Sequence, residues 1–309
     1  VVSGGSPDVT IVGNVNLDVL VRDVRSLPAP GEERFVEAAE LRTGGAAANA
    51  ALALAALDVP VRLVGGVGDD PAGRLIRDDL AAHGLDLAGV RSLRGVPTGV
   101  SVALEAPDRD RSFLTAAGAL AAFDRAMVPP DALDAAYVLV TGTFLLPGLG
   151  HEGTAALLRD AKERRATVLF DPGSDPAGWS EANVRAIRSS LELVDVFLPN
   201  EQEALGLARE PDPLTAARSL QAGETWVVVK RGSRGAVAAG PGGQTAEVDA
   251  TPVEVVDTTG AGDAFDAGVI AGMMDGATFP DAVALASRFA SAVVARPSAD
   301  RYPGREMFG

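Results

Sequence analysis

The chain has 309 residues, 47% hydrophobic and 5% aromatic, and a formal net charge of −15. That length suits one large α/β domain with a small appendage, and that acidity argues against nucleic-acid binding through a broad basic surface. Because there is no cysteine, disulfides, thiolate catalysis and cysteine metal sites are excluded.

Residues 1–8 lack a basic stretch followed by an apolar run, so no signal peptide is expected. In chain order, 9–15 reads as a buried strand. Segment 19–41 is broken by Pro and Gly and reads as extended. A helix near 46–57, a strand at 61–65 and a helix near 72–83 follow. The helix at 46–57 is the most apolar, yet too short to span a bilayer. A cytoplasmic protein with no membrane partner is the default expectation. Segment 98–115 alternates in β fashion around Pro107-Asp108-Arg109-Asp110.

Strands then read at 137–141, 167–170, 194–198 and 226–230, with helices near 150–164, 181–190, 201–205 and 214–222 between and beside them. A hairpin of 236–239 and 245–248 turns at Pro241-Gly242-Gly243. A short β run, 253–256, feeds a glycine turn that opens a helix over 260–274. Residues 297–309 read as an irregular tail. Near-continuous apolar strands alternating with Ala/Leu helices predict a doubly wound α/β fold on a mostly parallel sheet, covered on both faces.

The most informative stretch is Val256-Asp257-Thr258-Thr259-Gly260-Ala261-Gly262-Asp263-Ala264-Phe265. Gly260, Ala261 and Gly262 let an anion approach backbone N–H groups at the positive end of a helix. A carboxylate at Asp263 conflicts with a bound phosphate, unless it takes the proton of a hydroxyl attacking that phosphate. The same residues also fit an N-cap Asp after a glycine turn. A second extended-to-helix transition, Leu41-Arg42-Thr43-Gly44-Gly45-Ala46-Ala47-Ala48-Asn49-Ala50, places Asn49 one turn inside its helix.

Together these two motifs resemble the ribokinase-like (PfkB-type) carbohydrate kinases. The resemblance continues through Gly13-Asn14-Val15-Asn16-Leu17-Asp18, Val67-Gly68-Asp69-Asp70-Pro71-Ala72-Gly73, Leu198-Pro199-Asn200-Glu201-Gln202-Glu203-Ala204 and Lys230-Arg231-Gly232-Ser233-Arg234-Gly235. It covers almost the whole chain, is specific for the family and much less specific for the substrate. It implies one ribokinase-like kinase domain over 1–309, with excursions at about 19–41 and 98–115 forming a small β lid. It also implies an ATP-dependent phosphotransferase acting on a hydroxyl of a small sugar or sugar-like molecule, with the lid as the candidate face for a homodimer.

The residues fill distinct roles in that reading. Asp263 is the base, and Gly260, Ala261 and Gly262 donate N–H groups to the transferring phosphoryl group. Asp18, Asn16, Gly44, Gly45 and Asn49 are the sugar candidates, since carboxylates and amides bond hydroxyls. Asn200, Lys230, Gly232, Gly235 and Ser291 are the ATP candidates. Glu203 would hold Mg²⁺ through water, although Asn200 with Glu203 also reads as a capping box. The resemblance implies a monovalent-cation site for K⁺ at Asp257 and Thr259, and Asp257 also suits a turn cap. Asp171 ends a strand at the same edge. Arg111, beside the lid, reads as a solvated charge or as a contact for an anionic substrate.

The sequence departs from the family at three places. Lys230 stands where relatives often carry Thr, and either meets phosphate or points to solvent. Ser291 stands where they often carry Asn. The loop 295–303 looks shorter than in ribokinase itself.

Two other readings are weighed against the kinase. Gly66-Val67-Gly68 begins like a dinucleotide motif, but Pro71 stands where the third Gly belongs. A sugar-binding module without turnover has no need of a base in an anion site. A nucleoside kinase shares every motif above.

Overall fold

A computed structural model describes residues 8–106 and 109–307, without the side chains of 109–111, 299 and 307. The turn at Pro107-Asp108 and the Arg111 side chain therefore lie outside the described residues. The strands are β1 (Val9–Gly13), β2 (Asn16–Val21), β3 (Ala39–Gly44), β4 (Val61–Gly68), β5 (Asp86–Leu93), β6 (Val100–Ala106), β7 (Arg109–Ala116), β8 (Tyr137–Thr141), β9 (Thr167–Asp171), β10 (Val196–Phe197), β11 (Trp226–Lys230), β12 (Ala236–Ala239) and β13 (Thr245–Val248). The helices are α1 (Ala46–Ala56), α2 (Pro71–Ala82), α3 (Ala119–Ala122), α4 (Gly150–Glu163), α5 (Glu181–Ser190), α6 (Glu201–Ala208), α7 (Pro213–Leu220), α8 (Ala261–Met274) and α9 (Phe279–Val294).

The main sheet runs β13-β12-β11-β10-β9-β8-β1-β4-β5. Pairings from β5 to β11 are all parallel, and β11, β12 and β13 close one edge antiparallel. Strands such as β8 and β11 are buried along almost their whole length, as a sheet covered on both faces requires. The chain leaves β1 toward β4 on one side and returns to β8 on the other. Ligand crevices in such sheets open at the carboxyl ends beside that reversal.

Four strands stand apart in a second sheet, β3-β2-β6-β7. Only Asn14 and Val15 separate β1 from β2, so the chain crosses from one sheet to the other directly above the reversal. The register sets Asp18 opposite Arg42 and Asn16 opposite Gly44.

Most helices start with ordinary caps. Asp70, Ser180, Asn200, Asp212 and Thr278 each accept a backbone N–H in the first turn of α2, α5, α6, α7 and α9. Helices α1 and α8 differ. They begin at Gly45 (φ 96°) and Gly260 (φ 71°), with no side-chain cap. A Cβ on Gly45 would fall 2.3 Å from Asn14 O, so both the left-handed backbone and the space demand glycine.

The structure corrects one expectation and adds to others. Strand β5 and helix α9 were absent from the sequence reading, and both pack on the core. The run 253–256 joins no strand, although Val256 N–H bonds Val294 O. The C-terminal segment is irregular, with turns at Ser298–Asp300 and Arg305–Met307, yet it is docked: Arg301 is buried.

Small side chains let α8 and α9 approach closely. A Cβ on Gly268 would lie 2.6 Å from Ala286 Cα. Gly268→Val should therefore overpack this contact and lower stability by about 1–3 kcal/mol. Urea unfolding should show a lower midpoint at unchanged slope, and an unchanged midpoint would show that the two helices separate freely.

Candidate active site

The uncapped starts of α1 and α8 converge. Asn49 Nδ2, one turn into α1, donates to Asp263 Oδ2, in the first turn of α8, at 2.8 Å. A Cβ on Gly260 would lie 3.4 Å from Asn49 Cγ. Residues 214 positions apart thus meet at the place where both helix dipoles point their positive ends.

Among the sugar candidates the polar groups form a chain. Asn14 Nδ2 donates to Asn16 Oδ1 at 3.3 Å, and Asn16 Nδ2 to Asp18 Oδ1 at 2.7 Å. Asn14 Oδ1 accepts Ala46 N–H, which tethers this chain to the start of α1. The Asp18 carboxylate lies directly over Gly44, where a Cβ would come within 2.2 Å of it. Burial raises the pKa of Asp18, against the opposing charge of Arg42.

Asp263 is half-buried. Burial pushes its carboxyl up to about 7, against the Asn49 hydrogen bond; Asp171 raises it further, and Lys230 and Arg301 pull it down. A carboxylate with that proton affinity suits proton abstraction near neutral pH.

Below the glycine turn, Lys230 corrects the sequence reading. It is buried and does not point to solvent. Its Nζ donates to Asp171 Oδ2 and Asp266 Oδ1, each at 2.9 Å. Burial would lower the pKa of Lys230, but Asp171, Asp266 and Glu203 outweigh that and hold it fully charged. A Cβ on Gly262 would lie 3.4 Å from Nζ, so this ammonium underlies the anion turn. The carboxylates of Asp171, Asp263 and Asp266 lie within 4.8 Å of one another, with Lys230 already bonded to two of them.

Asn200 and Glu203 form the capping box that their spacing suggests. Glu203 N–H donates to Asn200 Oδ1 at 2.9 Å, and Asn200 N–H to Glu203 Oε2 at 2.8 Å. Asn200 Nδ2 and Ser174 Oγ both donate to Oε1. Burial and the neighbouring Asp171 push Glu203 up to about 7, with Lys230 opposing.

Three assignments shift. Asp257 receives Thr259 N–H at 2.9 Å on Oδ1, as a turn cap does. Its Oδ2 receives Arg42 Nη1 and Arg301 Nη2, each at 2.8 Å. Gly235 is buried, and a Cβ there would strike Val248 O at 1.9 Å, so protein packing rather than a nucleotide demands that glycine. Gly232 remains exposed on the same turn, at φ 57°. Ser291 Oγ donates to Ser287 O inside α9 at 2.8 Å and is buried, so its proton is committed to its own helix.

Sequence reasoning missed Arg42, Asp266 and Arg301. Asp266 is three residues beyond Asp263 and so shares its helix face. Arg42 is two residues before Gly44, but only β2–β3 pairing shows that it meets Asp18. No local signal marks Arg301.

Residues 6–303 match the pfkB family of carbohydrate kinases. The chain belongs to that family. It is 35% identical over 259 residues to the ATP-dependent ribose-1-phosphate kinase of Halopiger xanaduensis, covering 84% of this chain and 82% of that protein. It is 28% identical to the ribokinase of Arabidopsis thaliana over 95% of this chain and 77% of that one. The structure of Arabidopsis ribokinase with ribose and ATP superposes with a TM-score of 0.83 at 26% identity, covering 98% and 97% of the two chains. Adenosine kinase from Sinorhizobium meliloti superposes at 0.79 and 25% identity, covering 94% of this chain and 95% of that one. This protein is an ATP-dependent sugar kinase with the ribokinase-like fold. Among the described residues no helix is long and apolar enough to cross a membrane.

A base at Asp263 works only when ionised. The kcat/KM for sugar should therefore rise with pH and level off above about 7. Asp263→Asn should cost about two to four decades of transfer rate while ATP still binds. The folded-state pKa is raised, so ionising Asp263 opposes folding as pH rises from near 4 toward 7. The Asn variant should accordingly gain stability over wild type across that window. Wild-type turnover in the variant, or a profile with no acid limb, would remove Asp263 from the base role.

Proposed function

We propose that this kinase transfers the γ-phosphoryl group of ATP to a hydroxyl of a small sugar held between the second sheet and the carboxyl edge of the main sheet. The observation that carries this reading is the 2.8 Å bond from Asn49 to Asp263, which joins the sugar candidates to the base. Asn16, Asp18 and Asn49 orient the sugar hydroxyls over Gly44 and Gly45. The attacking oxygen forms a bond to the γ-phosphorus as its proton passes to Asp263. The bond from that phosphorus to the β,γ-bridging oxygen breaks, and ADP leaves with those electrons. N–H groups of the Gly260–Gly262 turn, with the Lys230 ammonium beneath, stabilise the transferring phosphoryl group. Asn200 and the exposed Gly232 lie toward the nucleotide.

The donor set fits Mg²⁺. Glu203 is a buried carboxylate whose oxygens already serve the capping box and Ser174, so it would reach the ion through water. When bound, Mg²⁺ offsets charge on the ATP phosphates. The second sheet closes as a lid and excludes water from the transfer. Leu41, Phe113 and Leu114 are exposed on its edge strands β3 and β7 and form the candidate face for a homodimer. The cytoplasm, where ATP is abundant, is the compartment we assign.

A second reading adds an anionic group to the sugar. Arg42 Nε and Nη2 are buried without a hydrogen-bond partner, and Nε is 3.8 Å from Asp18 Oδ2. A phosphorylated pentose would satisfy those two donors, and the Halopiger relative is named for ribose 1-phosphate.

Turnover with ribose, ribose 1-phosphate, fructose, 2-keto-3-deoxygluconate and adenosine separates these readings. Asp18→Ala should raise the sugar KM by about one to two decades, since a charged hydrogen bond is worth roughly 1.5–3 kcal/mol, and leave ATP affinity without sugar intact. Equal sugar affinity in mutant and wild type by calorimetry would leave Asp18 as a structural partner of Arg42 within the second sheet. Glu203→Gln should raise the Mg²⁺ requirement more than the sugar KM. Loss of melting temperature alone, with Mg²⁺ titration unchanged, would reduce Glu203 to a helix cap.

A further inference from the structure

We propose that Arg301 is a positioning residue of the transfer site, whose guanidinium supplies the fixed positive charge beside Asp257 and the Gly260 turn, so that no monovalent cation takes part. This inference rests on the site assigned under the proposed function. Its starting point is a misfit. The K⁺ implied by the family resemblance would need the Asp257 carboxylate, and that carboxylate is committed to protein.

Asp257 is buried, with 2% of its surface exposed. Its Oδ1 fixes Thr259 N–H and so shapes the turn into α8. Its Oδ2 receives Arg301 Nη2 from the C-terminal segment and Arg42 Nη1 from β3, each at 2.8 Å, and Ser298 Oγ at 3.4 Å. The two guanidinium side chains are themselves 6% and 11% exposed. A cation placed on Asp257 would stand against two like charges at close range, in a partly dry setting where such repulsion is poorly screened. Burial tends to raise the Asp257 carboxyl, but Thr259 N–H and the two arginines hold it well below the usual carboxylate range. The anion is therefore permanent, and its counter-charge is built in.

Arg301 also reaches past Asp257. Its Nη1 would be 3.1 Å from a Cβ on Gly260, so one edge of the planar fork grips the carboxylate while the other lies along the turn. Lys230 approaches the same turn at Gly262. The turn that receives the phosphoryl group is thus flanked by two buried cations from distant parts of the chain. Arg301 acts through Asp257 and the turn, holding the α8 N–H groups in place and adding positive charge behind them. A mobile ion in this role would have to be bound and held. A tethered guanidinium is already in position.

The test compares salts at matched ionic strength, about 0.1 M. Wild-type turnover should be equal in K⁺, Na⁺ and tetramethylammonium chloride, and calorimetric affinity for a non-hydrolysable ATP analogue with Mg²⁺ should be equal too. Arg301→Ala should lose kcat on the order of a hundredfold, as a small misplacement of reacting groups can, with a smaller change in the KM for ATP. Arg301→Lys should recover part of that loss. Added guanidinium should rescue the Ala variant, because Arg301 lines a cavity of 560 Å³ that can admit it. Stimulation of the wild type by K⁺, or tighter analogue binding in K⁺ alone, overturns the proposal. So does wild-type kcat in Arg301→Ala. If the Ala variant does not fold, Arg301→Lys and the wild-type salt series still decide. If no sugar is phosphorylated in any salt, the assigned function fails, and analogue affinity still reports on Arg301 separately.

Discussion

Two helices begin at one place without a side-chain cap, and the chemistry of this site depends on that. In α2, α5, α6, α7 and α9 a Ser, Thr, Asp or Asn closes the first turn, and α3 and α4 start without a side-chain cap away from this place. At Gly45 and Gly260 the chain enters α1 and α8 through left-handed glycines instead. A capping side chain would fill the space an anion needs and satisfy donors meant for it. The glycines leave both the space and the dipoles available, and Asn49 and Asp263 stand one turn inside, joined to each other.

Such a site in a chain of net charge −15 must manage many carboxylates. Asp18, Asp171, Asp257 and Asp266 are buried or nearly so, and isolated buried carboxylates would not stay ionised. Arg42, Lys230 and Arg301 enter among them: Arg42 lies between Asp18 and Asp257, Lys230 between Asp171 and Asp266, and Arg301 pairs with Asp257. The pairing is uneven, and that unevenness is useful. Asp257 is bonded to two guanidiniums and is permanently charged. Asp263 has one neutral amide on it and feels Lys230 and Arg301 only at longer range, so burial carries its proton affinity toward neutrality. Carboxylates six residues apart thus acquire opposite behaviour, one held charged and the other with a proton affinity near neutrality.

The parts of the fold legible in the sequence were those with a local cause. Strands β8 and β11 are unbroken apolar runs, α2 and α7 carry an Asp cap with Pro behind it, and the β12–β13 hairpin turns on Pro241-Gly242-Gly243. Each could be placed from a few neighbouring residues. Strand β5, with exposed charges and a glycine, and helix α9, small-residue and partly polar, lack so clear a period. Both owe their state to the core they cover. The run 253–256 looked like a strand by composition, but it is exposed and pairs with no strand, and its Val256 N–H goes to Val294 O at the end of α9.

The sequence by itself determined the fold class, the family and the residues that stand in short motifs: Asp263 behind its glycine turn, Asn49 behind its own, Asp18 at the first crossing and the Asn200–Glu203 box. These are set by spacing along one stretch of backbone, and spacing is visible in one dimension. Only the tertiary structure decided the counter-charges. Whether Lys230 faces solvent or Asp171 and Asp266, whether Asp257 awaits an ion or already holds Arg42 and Arg301, and whether Ser291 is free for a ligand are all questions of partners. Those partners lie 36 to 215 residues away for the charged groups, and four for Ser291. A buried charge takes whichever opposite charge the packing brings within hydrogen-bond reach, and sequence distance has no part in that choice.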